Sequence, residues 1–153
     1  MPTSFFAQQR VLHMAICSGA AVFLLVVAFV QRELNNAAGG ALAEVFLPLS
    51  IGLGVAAVVG GNYLFQRGTA GLHAGQPLAK RLQRLRNLSL IRLAMTEAPT
   101  LIACVGYLFS GTLYLLIVAV VLLAWMLMLR PTRDLLVNTL RLQPEEMAAV
   151  FGA

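Results

Sequence analysis

Residues 90–129 read "LIRLAMTEAPTLIACVGYLFSGTLYLLIVAVVLLAWMLML". Two apolar runs, 90–109 and 113–129, are separated only by Ser110, Gly111 and Thr112. Each run is close to the roughly 20 residues that a helix rising about 1.5 Å per residue needs to cross about 30 Å of hydrocarbon. So short a link forces antiparallel neighbours, and Gly111 can take the left-handed backbone a tight turn requires. The stretch therefore predicts a helical hairpin in lipid. It also decides the fold class, all-α, because a bilayer offers backbone amides no partners outside a helix or a closed barrel. Barrel strands would alternate polar and apolar residues over shorter segments, and these runs do not.

Two more runs lie upstream. Residues 11–30, "VLHMAICSGAAVFLLVVAFV", and 42–65, "LAEVFLPLSIGLGVAAVVGGNYLF", have the same length and character. The expectation is an integral membrane protein with four transmembrane helices, 11–30, 42–65, 90–109 and 113–129. Composition agrees: of 153 residues 59% are apolar and 11% charged, against about half and about a quarter in soluble domains. The first run exceeds the about 7–15 residues of a secretory h-region, so it is expected to stay as a helix rather than be cleaved.

The net charge is +5, and its placement matters more than its size. With four spans, residues 1–10, the loop 66–89 and the tail 130–153 share one side, while 31–41 and the turn 110–112 share the other. The first side carries Arg10, Arg67, Lys80, Arg81, Arg84, Arg86, Arg92, Arg130, Arg133 and Arg141, and the second only Arg32. This positive-inside bias predicts an inner (plasma) membrane protein with both termini cytoplasmic. Basic residues beside apolar spans anchor helices at anionic headgroups. With no nucleic-acid motif present, the expected partner is the lipid bilayer and not a nucleic acid.

The basic loop has internal order. "QRGTAGLHAGQP", 66–77, is glycine-rich and reads as a turn or link. In "LAKRLQRLRNLSLIRL", 78–93, Leu78, Leu82, Leu85 and Leu88 recur every three to four residues with basic residues between them, a basic amphipathic helix. No breaker separates it from Leu90, so it is expected to run into the third span. In the tail, Pro131 ends or kinks the fourth span, Thr132 can cap a short helix carrying Leu135, Leu136 and Leu140, and Pro144 opens another. The tail is expected to lie on the bilayer or on the chain's own loop, with a docking site for another protein as the alternative. No extramembrane part is expected to be large enough for its own core.

Two features could carry function. In the second span Gly52, Ala56 and Gly60 share a helix face, broadened by Ser50, Gly54, Ala57 and Gly61, and small faces let helices approach closely in lipid. Their partner is either another helix of this chain or the seam of a homo-oligomer or of a membrane-protein partner. In the third span Glu97 is a carboxylate inside hydrocarbon, which costs about 2.5–3.5 kcal/mol at the bilayer centre and less toward the interface. Three roles are open to it. It can pair with Arg92 or a loop basic residue; it can be protonated and hydrogen-bonded to Thr96, Thr100, Asn62 or Tyr63; or it can be a proton or cation site. Pro99 removes a backbone donor nearby and frees a carbonyl.

Residues 52–123 resemble the proteolipid, or c, subunit of rotary ATP synthases. The likeness rests on "GLGVAAVVGG" (52–61), on Gly75-Gln76-Pro77 in the loop, and on "RLAMTEAPTLIACVGYLF" (92–109) with its single carboxylate. The resemblance implies Glu97 as an ion-binding group for proton or sodium. Otherwise the chain resembles a small four-helix bacterial membrane protein.

Other chemistry finds little footing. Cys17 and Cys104 sit in apolar runs without further ligands at metal spacing, His13 and His73 are isolated, and no serine has histidine and aspartate company. No nucleotide fingerprint or other cofactor motif occurs. The expectation is a non-enzymatic protein without metal or cofactor. Its role is structural, in assembly or in interaction, with an ion-linked carrier or channel subunit using Glu97 as the alternative.

Overall fold

The computed structural model describes residues 5–34, 40–72, 76–140, 142 and 144–151. His73, Gly75 and Arg141 lie outside them, as do residues 35–39 of the 31–41 loop. The described residues form α1 (Phe5–Leu34), α2 (Gly40–Ala70), α3 (Leu78–Ser110), α4 (Leu113–Met128), α5 (Arg133–Leu140) and α6 (Pro144–Phe151). The protein is all-helical among these residues. Of the helices, α1, α2 and α3 are long and apolar enough to cross a membrane. Their outward side chains include Leu25 and Phe29 on α1, Val55 and Val59 on α2, and Phe109 on α3, all exposed. An apolar perimeter of this extent is untenable in water and natural in lipid.

The fourth apolar run behaves differently from the other three. α4 has 16 residues, about 24 Å of helix against about 30 Å of hydrocarbon. It qualifies as a span only when joined to α5, and the pair is bent by 63°. The cause is local: the Leu129 N–H turns back to the Trp125 and Met126 carbonyls, and Pro131 follows, which has no N–H to continue the ladder.

α3 is the hub, packing against α1, α2 and α4. The amphipathic segment and the third apolar run form this single helix of 33 residues. It passes through Pro99 without ending. Thr100 Oγ1 donates to the Thr96 carbonyl at 2.8 Å and Thr96 Oγ1 to the Arg92 carbonyl at 3.1 Å, so side-chain hydroxyls supply extra bonds where the proline removes one. At its far end Gly111 takes φ 65° and its N–H bonds the Tyr107 carbonyl at 2.8 Å. Ser110 Oγ donates to the Gly106 carbonyl at 2.7 Å and accepts the Thr112 N–H at 3.2 Å. These bonds satisfy the end of α3 and reverse the chain into α4.

The core falls into three layers along the bundle. Nearest the α3–α4 turn, Val27, Ala103, Cys104, Leu115 and Ala119 pack together. Cys17, Leu93 and Met126 form a smaller middle layer. At the opposite end Phe65, Leu72, Leu85, Leu136, Leu140, Leu142 and Val150 form the third, with Phe5, Phe6 and Phe151 against it. This last layer joins tail residues to the ends of the long helices in one apolar cluster. The tail folds back over the ends of α1, α2 and α3 and builds a cap with buried leucines, because α5 and α6 each present an apolar face that α3 extends far enough to receive.

The small residues of α2 divide between an inward and an outward stripe. Ser50, Gly54, Ala57 and Gly61 are buried, and they, with Phe65, face the bundle. A Cβ at Gly54 would lie 3.2 Å from Leu122, and one at Gly61 3.3 Å from Arg92 Cγ. Gly52 and Ala56 are exposed, and nothing lies within 4 Å of a Cβ at Gly52. Gly60 is at the margin, with Met95 Cε 3.5 Å away. The intrachain seam is thus rotated from Gly52–Ala56–Gly60 onto the neighbouring stripe, because α3 and α4 approach α2 from that side.

Candidate functional site

The basic segments meet at one end of the bundle, where the start of α1, the end of α2, the start of α3 and the cap come together. Three features are built there or just beneath it.

The first is a clamp on Arg81. Its side chain is 1% exposed. Its Nη1 donates to the Leu140 carbonyl at 2.7 Å, its Nε to the Gln76 carbonyl at 3.2 Å, and its Nη2 to the Glu146 carboxylate. One guanidinium therefore ties α3 to the end of α5, to the loop before α3 and to α6. A planar fork of five donors suits this division of labour, which an ammonium could not reproduce. Nearby, Arg133 lies 5.3 Å from the Phe151 ring centre and 5.9 Å from that of Phe6, and these two rings meet edge to face at 5.6 Å. The N-terminal turn of α1 is thereby joined to α6. Around the clamp Arg10, Arg67, Lys80, Arg84, Arg86 and Arg130 are exposed.

By sequence Arg81 is one of the basic residues of the amphipathic segment. A signal was present: residues 78, 81, 85 and 88 fall three, four and three apart, which puts Arg81 on the leucine stripe of its helix. A cation on an apolar stripe must find a buried partner.

The second feature is a cavity of about 170 Å³ beneath the cap, where α4 breaks. Its polar lining comes from Gln9 and His13 of α1, Ser89 and Arg92 of α3, and Arg130 after α4, with Phe65 of α2 among its apolar walls. Gln9 is 7% exposed and its Oε1 has no hydrogen-bond partner. The Arg92 Nε is likewise buried and unbonded, while its guanidinium carbon stands 5.1 Å over the Phe65 ring. His13 is buried, its Nε2 3.6 Å from Cys17 Sγ. Gln9 and His13 were missed or set aside from sequence. They begin the inward stripe of α1, continued by Cys17, Ala20, Val27 and Gln31, and its four-residue spacing was the available sign.

The third is Glu97, half-buried on α3. It shares a helix face with the buried Leu93 and Thr100, and it lies within electrostatic reach of Cys17 on α1. Among the described residues no hydrogen bond or ion pair joins it to Arg92, Asn62, Tyr63 or Thr100. Each bonded candidate has another engagement. Thr100 Oγ1 is turned to the Thr96 carbonyl and stands 3.9 Å from Met126 Sδ. Tyr63 OH accepts from Arg67 Nη1 at 3.0 Å. Arg92 extends toward Phe65 and the cavity. Arg92 lies five residues from Glu97, about 500° around the helix, so the two leave it in different directions.

Among the described residues no group of three or more histidine, cysteine or acidic side chains has the arrangement of a metal site. Comparison with protein-family models, with curated proteins and with solved structures returns no match.

Proposed function

We propose that this chain is a small inner-membrane protein with four passes and both ends in the cytoplasm, and that its role is structural or one of interaction. α4 makes the fourth pass, its shortness met by the break into α5 at the headgroups. Local thinning of the bilayer and tilting absorb a mismatch of this size at a cost of fractions of a kcal/mol per ångström. The observation that carries the reading is the Arg81 clamp. It holds the tail as a fixed cap and leaves Arg10, Arg67, Lys80, Arg84, Arg86 and Arg130 exposed, a cationic platform suited to an acidic face of a membrane-protein partner. A second copy of the chain is the other partner this reading allows, with the outward Gly52–Ala56 face as its seam.

The test is affinity purification of the tagged chain in mild detergent after cross-linking in membranes, for wild type and for Arg81→Ala. A defined partner held by wild type and lost by a variant that still inserts supports the reading. Identical recovery from both removes the cap from the interaction. Reporter fusions at residue 70 and at the C-terminus test the topology, which requires both on the cytoplasmic side.

A second reading has one specific observation in its favour: Glu97 stands half-buried in the α1–α3 seam without a hydrogen-bond partner among the described residues. In it the chain is an ion-linked carrier or channel subunit, as the c-subunit resemblance implies. Proton or sodium flux in proteoliposomes that is abolished by Glu97→Gln would select it over the first.

A further inference from the structure

The cavity under the cap has the chemistry of a binding site. Two arginines, Arg92 and Arg130, line it, and no carboxylate does so among the described residues. Arg81, one helical stretch away, has Glu146 and two carbonyls to satisfy it; Arg92 has a ring face and an unbonded Nε. A half-buried cation stacked on an aromatic ring gains from the quadrupole but retains its in-plane donors. Leaving such a donor without an acceptor is costly, and so is the Gln9 Oε1 beside it, which has no donor. Gln9 is more than nine-tenths buried, and its Oε1 is out of reach of bulk water.

These two orphaned atoms want opposite things. Arg92 Nε calls for an acceptor and Gln9 Oε1 for a donor. One ligand supplies both when it is an oxyanion that also carries a hydroxyl. The position sharpens the choice. The cavity sits where the apolar bundle gives way to the basic cap, the level of lipid headgroups, and its walls include Phe65 and Leu93. Basic pockets between helices at that level suit anionic headgroups, and arginine outranks lysine for the planar oxygens of phosphate.

We propose that this cavity is a binding site for a hydroxyl-bearing phosphate. Arg92 and Arg130 hold the phosphate oxygens, and Gln9 Oε1 accepts from the hydroxyl. Two sources share this chemistry: a phosphatidylglycerol headgroup, its acyl chains lying along the apolar walls, and free inorganic phosphate. The inference concerns a ligand site and stands apart from any protein partner of the cap.

The test uses the full chain in neutral detergent. Unfolding is followed through Trp125, the single tryptophan, while phosphatidylglycerol, phosphatidylcholine or inorganic phosphate is titrated. Saturable stabilisation by a specific ligand raises the unfolding temperature with its concentration. Arg92→Gln and Arg130→Gln are compared with Arg84→Gln and Arg86→Gln, exposed arginines of the same end that do not line the cavity. Phosphatidylglycerol should stabilise wild type where phosphatidylcholine does not. The first two variants should bind it about tenfold or more weakly, the loss expected for one charge-assisted bond, and the last two should bind nearly as wild type. The same pattern with phosphate and not with the lipid would keep the site and assign the free anion. Equal losses in all four variants would reduce the effect to diffuse attraction and overturn the proposal, as would no saturable response to either ligand. Arg130 is exposed and outside the regular helices, so its variant carries the test if Arg92→Gln does not fold.

Discussion

Replacing Arg81 by alanine should release the cap while leaving the bundle in the membrane. Its guanidinium bonds the Leu140 carbonyl at 2.7 Å, the Gln76 carbonyl at 3.2 Å and the Glu146 carboxylate. Bonds involving a charged group contribute about 1.5–3 kcal/mol each, and removing one partner of a buried pair costs about 3–5 kcal/mol. Two corrections lower the total. Glu146 is 23% exposed, so water recovers part of its solvation, and the Gln76 bond is long. A net cost of about 2–4 kcal/mol for cap docking follows from these magnitudes. Because the penalty falls on a local opening, it should appear as a roughly 30- to 1,000-fold loss of amide exchange protection across 133–151. Protection on α3 beyond Leu93 should change little. The assay is hydrogen exchange with mass spectrometry in detergent or nanodiscs. Arg81→Lys should fall between, since it keeps the charge and loses the fork. A loss below about threefold in Arg81→Ala, or an equal loss in Arg84→Ala, would refute the argument, for the clamp would then be contributing no more than a surface ion pair.

The other predictions concern packing. At Gly106 an added Cβ would meet Phe46 Cβ at 2.8 Å and Leu115 Cδ1 at 3.1 Å; Gly106→Ala should therefore cost about 1–3 kcal/mol by overpacking the α2–α3 seam. Gly52→Ala, into open space, should stay within about 0.5 kcal/mol, and equal unfolding temperatures for the two would show that the seam is not tight. Leu136→Ala empties a fully buried position in the cap and should cost about 2–5 kcal/mol, read as cap exposure to protease with the bundle intact. Cys17 and Cys104 are 2% and 0% exposed. A polar maleimide should modify neither in the native protein and both after denaturation, and rapid native labelling would contradict the packing of the two inner layers.

Much of the architecture can be read along the chain. Helix formation follows from run length and the absence of water as a hydrogen-bond partner, the hairpin from a three-residue link containing Gly111, and the continuity of α3 from the lack of any breaker between Leu88 and Leu90. Pro99 predicts a freed carbonyl; the helix goes through it with threonine hydroxyls bonding the Arg92 and Thr96 carbonyls nearby. The candidate site was less legible. Glu97 is conspicuous as a carboxylate in an apolar run, yet Tyr63 and Thr100 bond elsewhere and Arg92 lies over the Phe65 ring. Arg81 attracted no notice because it looked like one cation among many.

Residue type and spacing alone determined that the chain is helical, apolar enough for lipid and basic at one end, since these depend on each residue's solvation and on its neighbours within a turn or two. Tertiary structure decided which stripe of α2 faces inward, that the tail closes over α3, and that Arg81 is buried and bonded while Arg92 opens onto a cavity. Those outcomes depend on which helix arrives at which face and on how far side chains distant in sequence can reach. A helix carries several chemically similar stripes, and only packing against its neighbours distinguishes them.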